Sequence, residues 1–113
     1  MNAEPQDRSS FTAEAPAMPL SLSPDDLRRF AQVLKLVAHE GRLAALILLH
    51  SGEKTVTELA AGLGLRQSAC SQILSNLRAF GLVRTRRAGK SILYAPANED
   101  VRDLVSLICR IKV

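Results

Sequence analysis

Apolar positions along the chain recur in two rhythms, and each change of rhythm marks an element. Leu27, Phe30, Ala31, Leu34, Val37 and Ala38 stand at helical spacing behind Ser23-Pro24-Asp25-Asp26. A serine at the cap, proline at the first helical position and acids in the first turn form a start signal. The spacing predicts a helix from there to about residue 38. A second is predicted from about Glu40 through Leu43, Leu46, Ile47 and His50, ending at Ser51-Gly52. Thr55 and Glu58 fit a capping box for a short third helix over 56–61. Gly62 and Gly64 break it, and a fourth helix runs from about Gln67 to Phe80 and stops at Gly81. Two helices joined by a tight glycine-bearing turn make a helix-turn-helix.

The rhythm then shortens. Residues 82–87 and 91–95 are β-prone runs around Ala88-Gly89-Lys90, which predicts a hairpin. Pro96 ends it. Asn98 can cap a last helix whose stripe is Val101, Leu104, Val105, Ile108 and Cys109. The predicted fold is mainly α with a small β-hairpin wing, in the order α-α-α-α-β-β-α. Residues 1–22 break both rhythms: Pro5, Pro16 and Pro19 fall among serines and alanines. They read as a mobile N-terminal tail, leaving 23–113 as one domain.

Composition narrows the function. The 113 residues are 47% hydrophobic but only 4% aromatic, so the core is aliphatic. Leu43 to Leu49 is the longest apolar run, too short for the ~18 residues of a membrane helix. No secretory signal is evident, and a cytoplasmic protein without a membrane partner is expected. Cys70 and Cys109 make no zinc spacing with His39 and His50, so neither metal nor cofactor is expected. No nucleophile, base and orienting group come together in a motif, which argues against an enzyme.

Net charge is +4, and its placement says more than its size. Residues 66–94 carry Arg66, Arg78, Arg84, Arg86, Arg87 and Lys90 and no acid. The excess therefore sits on the second helix of the helix-turn-helix and on the hairpin. Folds of this kind lay that helix in the major groove of double-stranded DNA. At ~100° per residue, Ala69, Cys70, Ile73, Leu74, Leu77 and Phe80 take one side of the helix. Gln67, Ser68, Ser71, Gln72, Ser75 and Arg78 take the other. Glutamine can read adenine and serine can bond bases or phosphates. Gln67, Ser68, Ser71 and Gln72 are the candidates for bases. Arg66, Arg84, Arg86, Arg87 and Lys90 are the candidates for phosphate. Strand alternation sets Arg84 and Arg86 on one face and Arg87 on the other.

The stretch Leu65–Tyr94, "LRQSACSQILSNLRAFGLVRTRRAGKSILY", resembles the recognition helix and wing of the ArsR/SmtB family of winged-helix repressors. Helix, glycine stop, basic strand and tyrosine strand occur in the family's order, and the likeness covers about residues 25–112. It implies a homodimer through the first and last helices, a palindromic operator and an inducer that releases the protein. The long apolar stripes on those two helices agree, since a chain this small has little core to cover them.

The family's inducer sites are not matched. One metal site needs cysteines in the third helix, here "VTELAAGL"; another needs histidines on the last, here "EDVRDLVSLICRIKV". A dithiol branch pairs a cysteine on the second helix with one on the last; the second helix here has none. Cys109 and Cys70 remain possible redox residues, Cys109 the better placed. On its apolar stripe, Cys109 otherwise belongs in the core or the dimer interface, and Cys70 packs as a small hydrophobe. Thiol sensing through Cys109 is thus one alternative, and a winged-helix assembly module without its own operator is another. The inducer is unknown. Arg66 stands where a serine-like cap often precedes the recognition helix, giving up a cap and adding a charge.

Overall fold

A computed structural model describes residues 21–111. Most of the segment read as a tail lies outside the described residues. The order is α1 (Pro24–Val37), α2 (Glu40–His50), α3 (Val56–Leu63), α4 (Gln67–Ala79), β1 (Val83–Ala88), β2 (Ser91–Pro96) and α5 (Glu99–Arg110). By compactness the chain divides after Ala31, and the core belongs to the part from Gln32 onward.

Three of the expected helix starts are made by side chains. Ser23 Oγ accepts from the Asp26 amide at 3.1 Å, and Asp26 Oδ2 accepts from the Ser23 amide at 3.1 Å. Thr55 and Glu58 form the reciprocal capping box, at 3.1 and 2.8 Å. Asn98 Oδ1 accepts from the Val101 amide at 3.0 Å and starts α5. Each satisfies helix-end amides that would otherwise go unpaired. His39 also has a capping role: its Nδ1 accepts from the Arg42 amide at the start of α2.

Gly64 ends α3 in the left-handed region, at φ 68° and ψ 35°. That conformation penalises a side chain and reverses the chain within a few residues, so α4 starts at Gln67. The turn of the helix-turn-helix therefore rests on this glycine.

The core is aliphatic, as composition requires. Leu46, Leu49, Leu59, Leu74, Leu77, Val105 and Cys70 are its largest fully buried side chains. They come from α2, α3, α4 and α5, so α4 is seated against the rest of the bundle by its own inner face. The wing is a two-stranded antiparallel sheet in which Val83 faces Pro96 and Ala88 faces Ser91. Its base joins the core through Val83 on β1 and the partly buried Tyr94 on β2, and β2 also buries Ala95 and Pro96.

Two residues assigned to the inner face of α4 are exposed. Ala69 and Phe80 lie outside the core, Phe80 with 47% of its surface open. The buried arc is centred on Cys70, Leu74 and Leu77, narrower than the apolar pattern. Ala69 lies roughly 100° from its centre at ~100° per residue. Phe80 is the C-cap, at φ −95° and ψ 7°, so the helical projection no longer places it. Cys109 also departs from a core position: it is exposed on this protomer, whereas Cys70 is wholly buried.

Candidate nucleic-acid interface

α4 presents a short-chained polar surface because its opposite face is locked. With Cys70, Leu74 and Leu77 buried, Ser68, Gln72 and Ser75 point farthest from the core, and Ser71 and Arg78 flank them. Asn76, not singled out by the sequence pattern, lies at the other flank and is partly exposed. Arg66 occupies the N-cap with no side-chain hydrogen bond to the helix. The first turn of α4 holds no acid either. Its leading amides and its partial positive charge thus stay available to an anion, with a cationic residue, Arg66, at the cap.

All eleven residues proposed from the sequence to meet DNA are exposed. Two of them already have partners. Gln67 donates its amide to Thr57 Oγ1 and ties the start of α4 to the first turn of α3. Arg86 donates twice to Glu53, from Nε to Oε2 at 2.8 Å and from Nη2 to Oε1 at 2.7 Å. This is the bidentate fork that suits guanidinium to carboxylate. The hydrogen-bonded Arg86 holds the Glu53 carboxyl below the usual carboxylate range; partial desolvation opposes this, and the charges of Arg86 and Arg84 add to it. Arg86 is correspondingly raised, first by the same hydrogen bonds.

Glu53 was not visible as part of the site from sequence. It lies 33 residues from Arg86 and outside the acid-free run. Its neighbour Lys54 explains how it arrives. The Lys54 amide donates to the Tyr94 carbonyl at 3.1 Å, and the Tyr94 amide donates back at 2.8 Å. The α2–α3 turn thereby adds one residue to the edge of β2. Lys54 Nζ also donates to Ser51 Oγ and to the Gly52 carbonyl, which braces the turn.

A groove of about 370 Å³ runs between the start of α3 and the wing. Thr55, Thr57, Lys90, Ser91 and Tyr94 line it along with Val56 and Ile92. Hydroxyls and one ammonium there can serve phosphate oxygens. Thr55 belongs to a capping box on sequence grounds, and its place with Thr57 along a groove emerges only when the wing folds beside them.

The two cysteines are far from equivalent. Burial pushes the Cys70 thiol up from its ordinary value, so it stays protonated and inert. Cys109 lines a cavity of about 220 Å³ with Ile47, His50, Ser51 and Ser106, between α2 and α5. Among the described residues, no group of three or more His, Cys, Asp or Glu could hold a metal ion. None of the described helices is long and apolar enough to cross a membrane.

Residues 39–85, from the start of α2 to the first half of β1, match the family model for bacterial regulatory proteins of the arsR family. The transcriptional activator HlyU of Vibrio cholerae is 39% identical over 79 residues, spanning 70% of this chain and 73% of that protein. This chain belongs to the ArsR family. A biofilm growth-associated repressor of Agrobacterium fabrum is 41% identical over 78 residues, 69% of this chain and 67% of that one. Among solved structures, the homodimeric winged helix-turn-helix DNA-binding domain of Mb0332 from Mycobacterium bovis superposes with a TM-score of 0.71 at 35% identity. That match covers 81% of this chain and 87% of the other. The protein is a transcriptional regulator with the winged-helix DNA-binding fold of its family, and not an enzyme.

Proposed function

We propose that this ArsR-family regulator is a repressor that binds a palindromic operator as a homodimer and leaves it when an inducer binds. The observation that carries the reading is the exposure of all eleven candidate polar and cationic residues of α4 and the wing, on a helix seated by its other face. Ser68, Ser71, Gln72 and Ser75 read base edges in the major groove. Arg66, Arg78, Arg84, Arg87 and Lys90 contact phosphate. Gln67 does so only after leaving Thr57, or else fixes the entry of α4.

The dimer is supported by what the first and last helices leave open. Leu34 on α1 is 58% exposed, Leu107 on α5 is 50% exposed, and Ile111 just beyond is 57% exposed. Apolar side chains in such numbers on one small protomer call for a cover. A second copy is the economical one, and a two-fold protein matches a two-fold site. The Mycobacterium bovis relative is homodimeric. Relatives are described both as activator and as repressor. Repression asks only that the operator be occupied, which needs no surface beyond α4 and the wing. The reading places the protein in the cytoplasm, where both cysteines stay reduced.

The test is DNA selected from a random duplex pool by the purified chain, followed by titration against salt. Affinity should fall linearly on logarithmic axes as counterions are released, by about 0.9 per phosphate contacted. Binding indifferent to salt would instead leave an assembly module. Transcription from a promoter bearing the selected site should rise when the gene is removed. A second reading concerns the inducer: the exposed Cys109, lining the α2–α5 cavity with His50, is the thiol available to an oxidant. Cys109→Ser would then keep operator affinity and lose release by oxidant.

A further inference from the structure

We infer that Arg86 is a positioning residue rather than a phosphate contact: with Glu53 it clamps the wing to the α2–α3 turn and so sets where Arg84, Arg87 and Lys90 meet DNA. The inference rests on the DNA-binding reading above and explains why Arg86, a phosphate candidate by sequence, stands outside its phosphate-contact set. Three observations carry it. Both guanidinium-to-carboxylate bonds are short and parallel, at 2.8 and 2.7 Å, so the fork is filled. The turn that bears Glu53 is itself fixed to β2 by the paired Lys54–Tyr94 backbone bonds. β1 is thereby tied to that turn twice, through its pairing with β2 and through Arg86. Finally, apolar burial holds only the base of the wing, at Val83, Ala95 and Pro96, and no residue from Arg84 to Tyr94 is buried.

The alternative is that Arg86 swings from Glu53 to a phosphate when DNA arrives. Charge argues against this. Were Arg86 to leave, the carboxylate would lose its hydrogen-bonding partner while a polyanion drew near. Lysine and arginine also differ here in a useful way. A phosphate accepts either as a point charge, whereas a bidentate fork accepts only arginine.

The full chain is tested on a duplex it selects from random sequence. Arg86→Lys and Glu53→Asp both keep the net charge and break the fork. Each should weaken binding roughly threefold, in the range of a partly exposed ion pair, with the salt slope unchanged. The double variant Glu53→Gln with Arg86→Gln should be no weaker than Arg86→Gln alone, because the two act as one unit. Arg87→Gln serves as the contact control and should lower the slope by about 0.9. In the protein without DNA, Glu53→Gln should speed amide hydrogen exchange along β1 and β2 about threefold and leave α4 unchanged. Arg86→Lys binding like the wild type, with Arg86→Gln lowering the slope by about 0.9, would overturn the inference. Unchanged wing exchange in Glu53→Gln would overturn it too. If the unaltered chain showed no salt-dependent binding, the DNA reading would fall, and the exchange result alone would decide whether the clamp exists.

Discussion

α4 and the wing carry the same kind of surface, polar and cationic, but they are held by different physics. α4 is seated by Cys70, Leu74 and Leu77, each buried to within 1% of full cover. Its outward residues inherit their direction from that packing. The wing is buried only at its base, at Val83, Ala95 and Pro96, and beyond it relies on strand pairing, the Lys54–Tyr94 bridge and the Arg86–Glu53 fork. Apolar packing is non-directional and insensitive to salt; ion pairs are directional and screened. The reading helix should therefore keep its aim across conditions in which the wing loosens.

The comparison breaks most readily at Leu74. Leu74→Ala removes a fully buried side chain and should cost about 2–5 kcal/mol, read by urea denaturation. A loss below about 1 kcal/mol would show that α4 is not seated by its inner face. Cys70→Ser should cost less, about 1–3 kcal/mol, by placing a hydroxyl where no partner is arranged. Native protein of that variant should bind DNA as before, since the thiol faces inward. Cys70 also gives a pH signature. Its folded-state pKa lies above the unfolded value, so its stabilisation is complete below the ordinary thiol pKa and declines as pH rises past it. Cys70→Ala should flatten that alkaline decline in thermal unfolding.

Gly81 joins the two regions at φ 72°, with open space where a Cβ would stand. Gly81→Ala therefore meets only the backbone penalty, about 1 kcal/mol in thermal unfolding. A larger loss would mean that helix and wing are coupled more tightly than their separate anchors imply. The smallest effect is expected from acid. Glu53 has a depressed folded-state pKa, so the fork contributes fully above the ordinary carboxylate value and is lost as pH falls through the depressed one. Near-neutral pH should leave the wing unchanged. Below the usual carboxylate range, nuclear magnetic resonance shifts of β1 should move before those of α4. Simultaneous movement would erase the distinction between the two anchors.

Much of this protein was legible in its order of residues. Ser23, Thr55 and Asn98 announce their helices because a cap needs only local reach, three residues or fewer. The fourfold helix order, the glycine turn and the hairpin follow from period and turn chemistry alone. The outward set on α4 was legible because one apolar arc fixes the opposite one. Phe80 was misplaced because periodicity assumes a helix that has already ended there. Cys109 was legible only as part of a stripe, since a stripe does not say whether the same chain or another covers it.

The sequence by itself determined the elements, the reading face and the concentration of positive charge, because each arises among residues close in the chain. Tertiary structure decided which of those charges are free. An acid-free run from 66 to 94 reads as uniformly available, yet folding carries Glu53 across 33 positions to occupy Arg86. It also sets Thr57 beside Lys90 in one groove and separates a sealed thiol from an open one. Charge density is a property of composition, but partnership depends on distance in space, and only the packed chain sets that distance.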